Sequence, residues 1–272
     1  MPDSYFTLID PPPVASDEAP HVSRFEAGPA TVGPWSPNLQ HGGPPNALAV
    51  LAAEQAVFAA TGRTDLVALR LSADFIGAVP VGEIEVRARV LRVARSAALA
   101  AVVIAAAGRD ALHARVWFVR ASDTAHVAAP LPDAVEVPDV PAGVDLDFGY
   151  GESLEWRFVR GSMRDPGPGT AWVRPRTSLA DGIELSGLAR AVLVADSASG
   201  ISAELDWTRW SFVNVDLDVH LARPFEGDWV LMDAATQLGA FGSGLARSTL
   251  SDVRGAVGAG LQTLVVAPIP IG

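Results

Sequence analysis

The chain has 272 residues, 49% of them apolar, with 25 glycines, 21 prolines, no cysteine and a net charge of −11. That is enough apolar material for one large or two ordinary packed domains, and the charge balance disfavours nucleic acid and anionic membrane as partners. Without cysteine there are no disulfides, thiolate metal sites or thiol nucleophiles, and the five histidines show no HxH or HExxH spacing, so no metal site is expected.

Residues 1–22 read as a proline-bearing lead-in without the basic segment or apolar run of a signal peptide. No apolar run of about 18 residues follows, so a soluble, cytoplasmic chain is expected. Residues 23–40 alternate weakly, as a lead strand would, and end in a loop at Trp35-Ser36-Pro37-Asn38. His41-Gly42-Gly43-Pro44-Pro45-Asn46 then opens a tract, 47–60, that is apolar nearly all round. This is the pattern of a helix buried on most sides, with proline in the first turn, where no N–H is needed, and Gly62 as its stop. From Leu66 the period changes to two: 69–75, 83–90, 96–107 and 111–120 read as four antiparallel strands. Residues 121–155, with Pro130, Pro132, Pro138 and Pro141, read as a linker. Then strands at 155–159 and 169–174 precede a helix at 181–196, opened by the capping pattern Asp181-x-x-Glu184. Four strands follow at 214–221, 229–236, 244–250 and 259–266.

The order repeats. Pro80 and Pro224 stand 144 residues apart, the helical tracts 44–55 and 185–196 are offset by 141, and Trp117 aligns with Gln262 at 145. The reading is therefore α+β, with two antiparallel sheets, each wrapped around a long buried helix, joined edge to edge because joining removes two exposed edges. The domains are 23–122 and 156–268, with 123–155 between them, and the groove where the halves meet is the natural ligand site.

Four motifs carry a resemblance: His41-Gly42-Gly43 at the first helix, Leu193-Val194-Ala195-Asp196 at the end of the second, Asn214 to His220 with Arg223-Pro224 behind it, and Gly260-Leu261-Gln262 on the last strand. Over roughly residues 23–268 the chain resembles the bacterial acyl-CoA thioesterase II family and its thioesterase-like relatives with tandem hotdog domains. The resemblance implies a double hotdog fold and hydrolysis of an apolar acyl-CoA to free acid and CoA. It implies no cofactor beyond the coenzyme A of the substrate. In that family an aspartate, a threonine or serine, and a glutamine hold the attacking water. Carried over, the aspartate falls on Asp196 and the glutamine on Gln262. The hydroxyl position, counted back from Arg223-Pro224, falls on Asn214, a departure: an amide orients a water but is no hydroxyl. Outer sheet edges and a sheet back face remain after fusion, so a homodimer is expected.

Thioester hydrolysis needs an activated water and an oxyanion stabiliser. Asp196 is the candidate general base, with Asn214 and Gln262 bonding the same water. Backbone N–H groups at the start of the first helix would hold the oxyanion, and Gly42 and Gly43 let the substrate approach. Pro44 and Pro45 supply no N–H, so Gly43 or Asn46 would serve, while His41 caps or orients the Gly-Gly turn. Trp35 and Trp210 are candidate walls of an acyl pocket, and Arg95, Arg223 and Arg247 candidate contacts for CoA phosphates. Each also has a plainer role: Asp196 ends a helix, Gln262 pairs inside a strand, Asn214 opens one. The first half has Gln55, Trp117 and Arg70 where the second has Asp196, Gln262 and Asn214, so one active site per chain is expected. The alternative from another class is a non-catalytic acyl-CoA or lipid-binding protein, which the Asn214 departure favours. A hotdog hydratase ranks last because no histidine follows His41 on the first helix, and no G-x-S-x-G supports an α/β-hydrolase.

Overall fold

The computed structural model describes residues 4–10, 21–129, 135–139, 146–163 and 165–269. Pro130, Pro132 and Pro141 of the expected linker lie outside the described residues. The first half contains β1 (Ser4–Asp10), β2 (His21–Ala27), α1 (Gly43–Thr61), β3 (Leu66–Phe75), β4 (Gly82–Val93), β5 (Ala97–Ala106) and β6 (Arg109–Arg120). After it come α2 (Gly149–Glu152), β7 (Leu154–Arg160), β8 (Gly169–Pro175), β9 (Ser178–Ala180), α3 (Gly187–Ala195), α4 (Ala198–Ile201), β10 (Trp210–Asn214), β11 (Asp216–Leu221), β12 (Val230–Leu238), β13 (Ser243–Asp252) and β14 (Gly255–Pro268).

α1 forms where its local chemistry says it should. Pro44 and Pro45 occupy the first turn, and Gly62 ends it in the left-handed region at φ 63°, its N–H bonded to Phe58 O at 2.7 Å. Leu48, Val50 and Leu51 are all buried. Each contributes about 1.5–3 kcal/mol by leaving water.

The two expected sheets are one. Its strands run β7-β8-β12-β13-β14-β11-β3-β6-β5-β4-β2-β1-β9, with β10 paired to β14. β3 and β11 join the halves antiparallel, Leu71 opposite Val219, and on either side of that pair the strand order is the same. The duplication is therefore written in the topology. β9 breaks the all-antiparallel pattern by pairing parallel with β1, Phe6 opposite Ala180. β1 itself falls in the lead-in, where no strand was expected. Its consecutive residues Tyr5 and Phe6 are both buried, which hides the period of two.

The second helix is short rather than long. Gly182 takes φ 72° and Asp181 accepts a hydrogen bond from Ser4 Oγ at 2.6 Å, so 181–186 is turn and the Asp181/Glu184 cap does not form. Ser186 caps instead, accepting from Ala189 N at 3.3 Å. α1 packs on β3, β4, β5 and β6, α3 packs on β11, β12 and β13, and the two helices pack on each other. The C-terminal end of α3 thereby meets the N-terminal end of α1 beside the β3–β11 seam.

Candidate active site

Asp196 follows α3 as its C-cap, with a side chain only 2% exposed. A carboxylate so buried needs donors, and three side chains converge on it. Asn214, at the end of β10, donates from Nδ2 to Oδ1 at 2.8 Å and to Asp216 O at 3.1 Å. Gln262, inward on β14, donates from Nε2 to the Asp196 carbonyl at 3.0 Å and to Oδ1 at 3.2 Å. His41 brings Nδ1 to 3.0 Å from Oδ2.

The Gly-Gly step makes this meeting possible. A Cβ on Gly42 would lie 2.5 Å from the Phe75 ring and 2.7 and 2.9 Å from the Asp196 carboxylate oxygens, and one on Gly43 would run into the Leu193 carbonyl. Only glycine lets the start of α1 lie against the end of α3. Gly43→Ala is expected to destabilise the protein by about 1–3 kcal/mol, the cost of overpacking a tight contact. A urea midpoint equal to the wild type's would refute it.

His41 Nδ1 also lies 3.2 Å from Gly43 N. One ring nitrogen cannot accept from Gly43 and donate to Asp196 at once. The two contacts are alternatives: with its proton on Nδ1 the ring donates to Asp196, and with its proton on Nε2 it accepts from Gly43 N–H. Asn46 N–H is not available for an oxyanion, because it donates to Gly42 O at 3.2 Å. Gly42 N–H has no hydrogen-bond partner among the described residues.

The imidazole is fixed from behind. It stacks on Tyr150 with centroids 3.7 Å apart and planes 8° from parallel. Tyr150 OH donates to Leu193 O at 2.7 Å and meets Ser197 Oγ at 2.9 Å. Burial raises its pKa well above the usual phenol value, which keeps it a neutral donor. Ser153 Oγ in turn donates to Tyr150 O at 2.7 Å and meets Tyr5 OH at 2.8 Å, which ties this wall to β1.

His41, Gly42, Asp196 and Asn214 line one cavity of about 1550 Å³, whose apolar wall includes Phe75, Trp35, Trp207 and Phe212. The acyl-CoA thioesterase N-terminal domain profile matches residues 31–119, and the C-terminal domain profile matches residues 131–266. The chain belongs to the acyl-CoA thioesterase family. Members of that family are thioester hydrolases, and the cavity sits where both matched domains contribute.

Solved structures share the fold. A hotdog-fold protein of Alicyclobacillus acidocaldarius superposes with a TM-score of 0.71 at 16% identity, over 95% of this chain and 97% of its own. An acyl-CoA thioesterase II of Mycobacterium marinum gives 0.67 at 14% identity, over 92% and 93%. The tesB protein of Mycobacterium avium gives 0.65 at 15% identity, over 91% and 93%. No curated protein matches. No helix among the described residues is long and apolar enough to cross a membrane, and no group of three or more histidines and carboxylates there could hold a metal.

The sequence-named residues separate into two sets. Asp196, Asn214, His41 and Gly42 meet in the cavity. Gln262 reaches Asp196 but lies behind it. Its amide is fully engaged, with Oε1 accepting from Ser199 N at 3.2 Å, and it does not line the cavity. Trp210, Arg95 and Arg247 are not among the described lining residues, and Arg223 is held by Asp252. In the first half Arg70 faces Asp218 at 3.5 Å, and neither it nor Gln55 or Trp117 lines the cavity. Sequence reasoning missed Tyr150 and Trp207. Tyr150 falls in the expected linker, yet a signal is there: Gly149 and Gly151 flank it, and a Cβ on Gly151 would lie 2.6 Å from Leu146 Cβ.

Proposed function

We propose that the chain hydrolyses an apolar acyl-CoA to the free acid and coenzyme A, with a water activated by Asp196. The observation that carries this reading is the convergence of Asn214 and His41 on the Asp196 carboxylate, facing the start of α1 at the wall of a large, mainly apolar cavity. In this reading each half, 23–122 and 156–268, is one hotdog domain, and only the second holds the acid. Coenzyme A enters as part of the substrate and no other cofactor takes part.

Asn214 then does the work of the family's hydroxyl with a divided amide. Its Nδ2 holds the carboxylate, while its Oδ1, without a protein partner among the described residues, accepts from the water. Asp196 takes a proton from that water as its oxygen adds to the thioester carbon. Negative charge gathers on the carbonyl oxygen, toward the Gly42 N–H at the positive end of α1, which has no partner among the described residues and lines the cavity. When the carbon–sulfur bond breaks, Asp196 returns the proton to the leaving thiolate. Asn214→Thr is expected to keep activity within about tenfold. Asn214→Leu is expected to lose on the order of 10²-fold in kcat, because the water loses its orientation. Equal activity of both variants would refute the divided-amide role.

Release of free thiol from acyl-CoAs of varied chain length tests the whole reading. Measurable binding without release at any length would replace it with the binding-protein reading. One observation favours a variant within the hydrolase reading: His41 Nε2 has no partner among the described residues while Nδ1 is held by Asp196. In that variant His41 takes the proton and Asp196 orients it. His41→Gln separates the two, since a general-base histidine costs about 10²- to 10⁴-fold in kcat, and a positioning one far less. The reading also includes a homodimer through the sheet face opposite the helices, where Leu245, Leu261 and Val265 are exposed on adjacent strands. A monomer mass by light scattering would remove that part.

A further inference from the structure

Three aromatic rings meet in the wall of the catalytic cavity. Trp35 comes from the loop before the His41-Gly42-Gly43 step, held by Gly33 N–H to Leu39 O at 2.9 Å. Trp207 comes from the turn after α4, held by Asp206 Oδ1, which accepts from Thr208 N at 2.8 Å. Phe212 stands on β10. The tryptophans stack at 5.4 Å and 16°, and Phe212 meets both edge-on, at 5.2 Å and 89° from Trp35 and 4.9 Å and 77° from Trp207.

The position of the cluster relative to the chemistry is fixed by the strand. Phe212 precedes Asn214 by two residues on β10, so the two side chains leave the same face about 7 Å apart. Asn214 holds Asp196 at 2.8 Å. An acyl group whose carbonyl lies at Asn214 therefore reaches the rings within a few carbons. All three rings line the cavity; Phe212 is only 4% exposed, whereas Trp35 keeps 39% of its surface open. The cluster thus packs its own rings and still presents an aromatic face to whatever fills the cavity. A flexible chain gains from burial anywhere along an apolar wall. Only a ring gains in addition from the offset-stacked and edge-on arrangements this wall already displays.

We propose that Trp35, Trp207 and Phe212 make the cavity selective for acyl groups carrying an aromatic ring a few carbons from the thioester carbonyl. The proposal rests on the hydrolase reading for its setting and names the substrate class of that site. The test compares 3-phenylpropanoyl-CoA with nonanoyl-CoA, which have equal carbon counts, on the full chain. The ring is expected to raise kcat/KM by about 2- to 10-fold over the straight chain, the range that aromatic pairing adds beyond burial. Trp35→Leu and Trp207→Leu are each expected to bring that ratio to about one. A wild-type ratio of one or less overturns the proposal, and so does a ratio that both variants keep. If the cluster merely pins its loops, Trp35→Leu lowers both substrates together and leaves the ratio intact. Should neither thioester be hydrolysed, the hydrolase reading fails separately. Ring selectivity is then read by calorimetry from the Kd ratio of the two non-hydrolysable thioether analogues, with the same outcomes deciding it.

Discussion

Asp196→Asn is expected to lower kcat for acyl-CoA hydrolysis by about 10²- to 10⁴-fold, the contribution of a positioned general base, with little change in the unfolding midpoint. Asparagine suits the site better than alanine for this test. Alanine would leave the donors of Asn214, Gln262 and His41 facing an empty space, and unsatisfied buried groups cost about 1–3 kcal/mol each. The asparagine Oδ1 can go on accepting from Asn214 and Gln262. Its Nδ2 can donate to His41 Nδ1 once the imidazole moves its proton to Nε2. The charge and the basic oxygen are removed and the packing is kept. Circular dichroism and urea unfolding check the fold, and thiol release checks the turnover. Wild-type turnover in a folded Asp196→Asn protein would exclude Asp196 as the base. Loss of both fold and activity would instead give the carboxylate a structural role.

What could be read in the chain followed how local the cause was. α1 was legible because its start and stop are chemical: two prolines that need no N–H, and Gly62 free to take φ 63°. β4 was legible because Ile84, Val86 and Ala88 alternate into the core. α3 was misplaced because the sequence offers two caps in succession. Asp181 instead accepts from Ser4, far away in the chain, and Ser186 takes the cap. The joining of two sheets into one depends on the register of β3 against β11, which no local pattern carries. At the site, Asp196 and Asn214 were named through resemblance. That Gln262 stands behind the carboxylate with its amide filled depends on α4 folding back to present Ser199 N–H. His41 was legible as a partner of the Gly-Gly turn, but its bond to Asp196 arises only when α1 and α3 pack end to end.

Arg223-Pro224 served as a landmark for the resemblance, and the structure gives the arginine a different task. Its guanidinium grips the fully buried Asp252 carboxylate with two bonds of 2.6 Å, Nη1 to Oδ2 and Nη2 to Oδ1. The same carboxylate accepts from Glu226 N at 2.9 Å and Arg254 N at 2.8 Å, which ties the corner after β11 to the β13–β14 turn. Asp252→Ala leaves the partly exposed Arg223 and the N–H groups of Glu226 and Arg254 without their acceptor, so it is expected to cost about 1–3 kcal/mol in urea unfolding at neutral pH. Burial acts to raise the Asp252 pKa, but Arg223 and the two backbone donors outweigh it and hold the group below the usual carboxylate range. The sign of the pH dependence follows. A group lowered in the folded state contributes fully above its unfolded pKa of about 4, and that contribution is lost as pH falls through the lowered folded value. Asp252→Asn keeps the shape without the charge, so its stability deficit against the wild type should be largest near neutrality and shrink as the pH is taken below about 4. A deficit that stays constant across that range would show that Arg223 and Asp252 act here through packing alone.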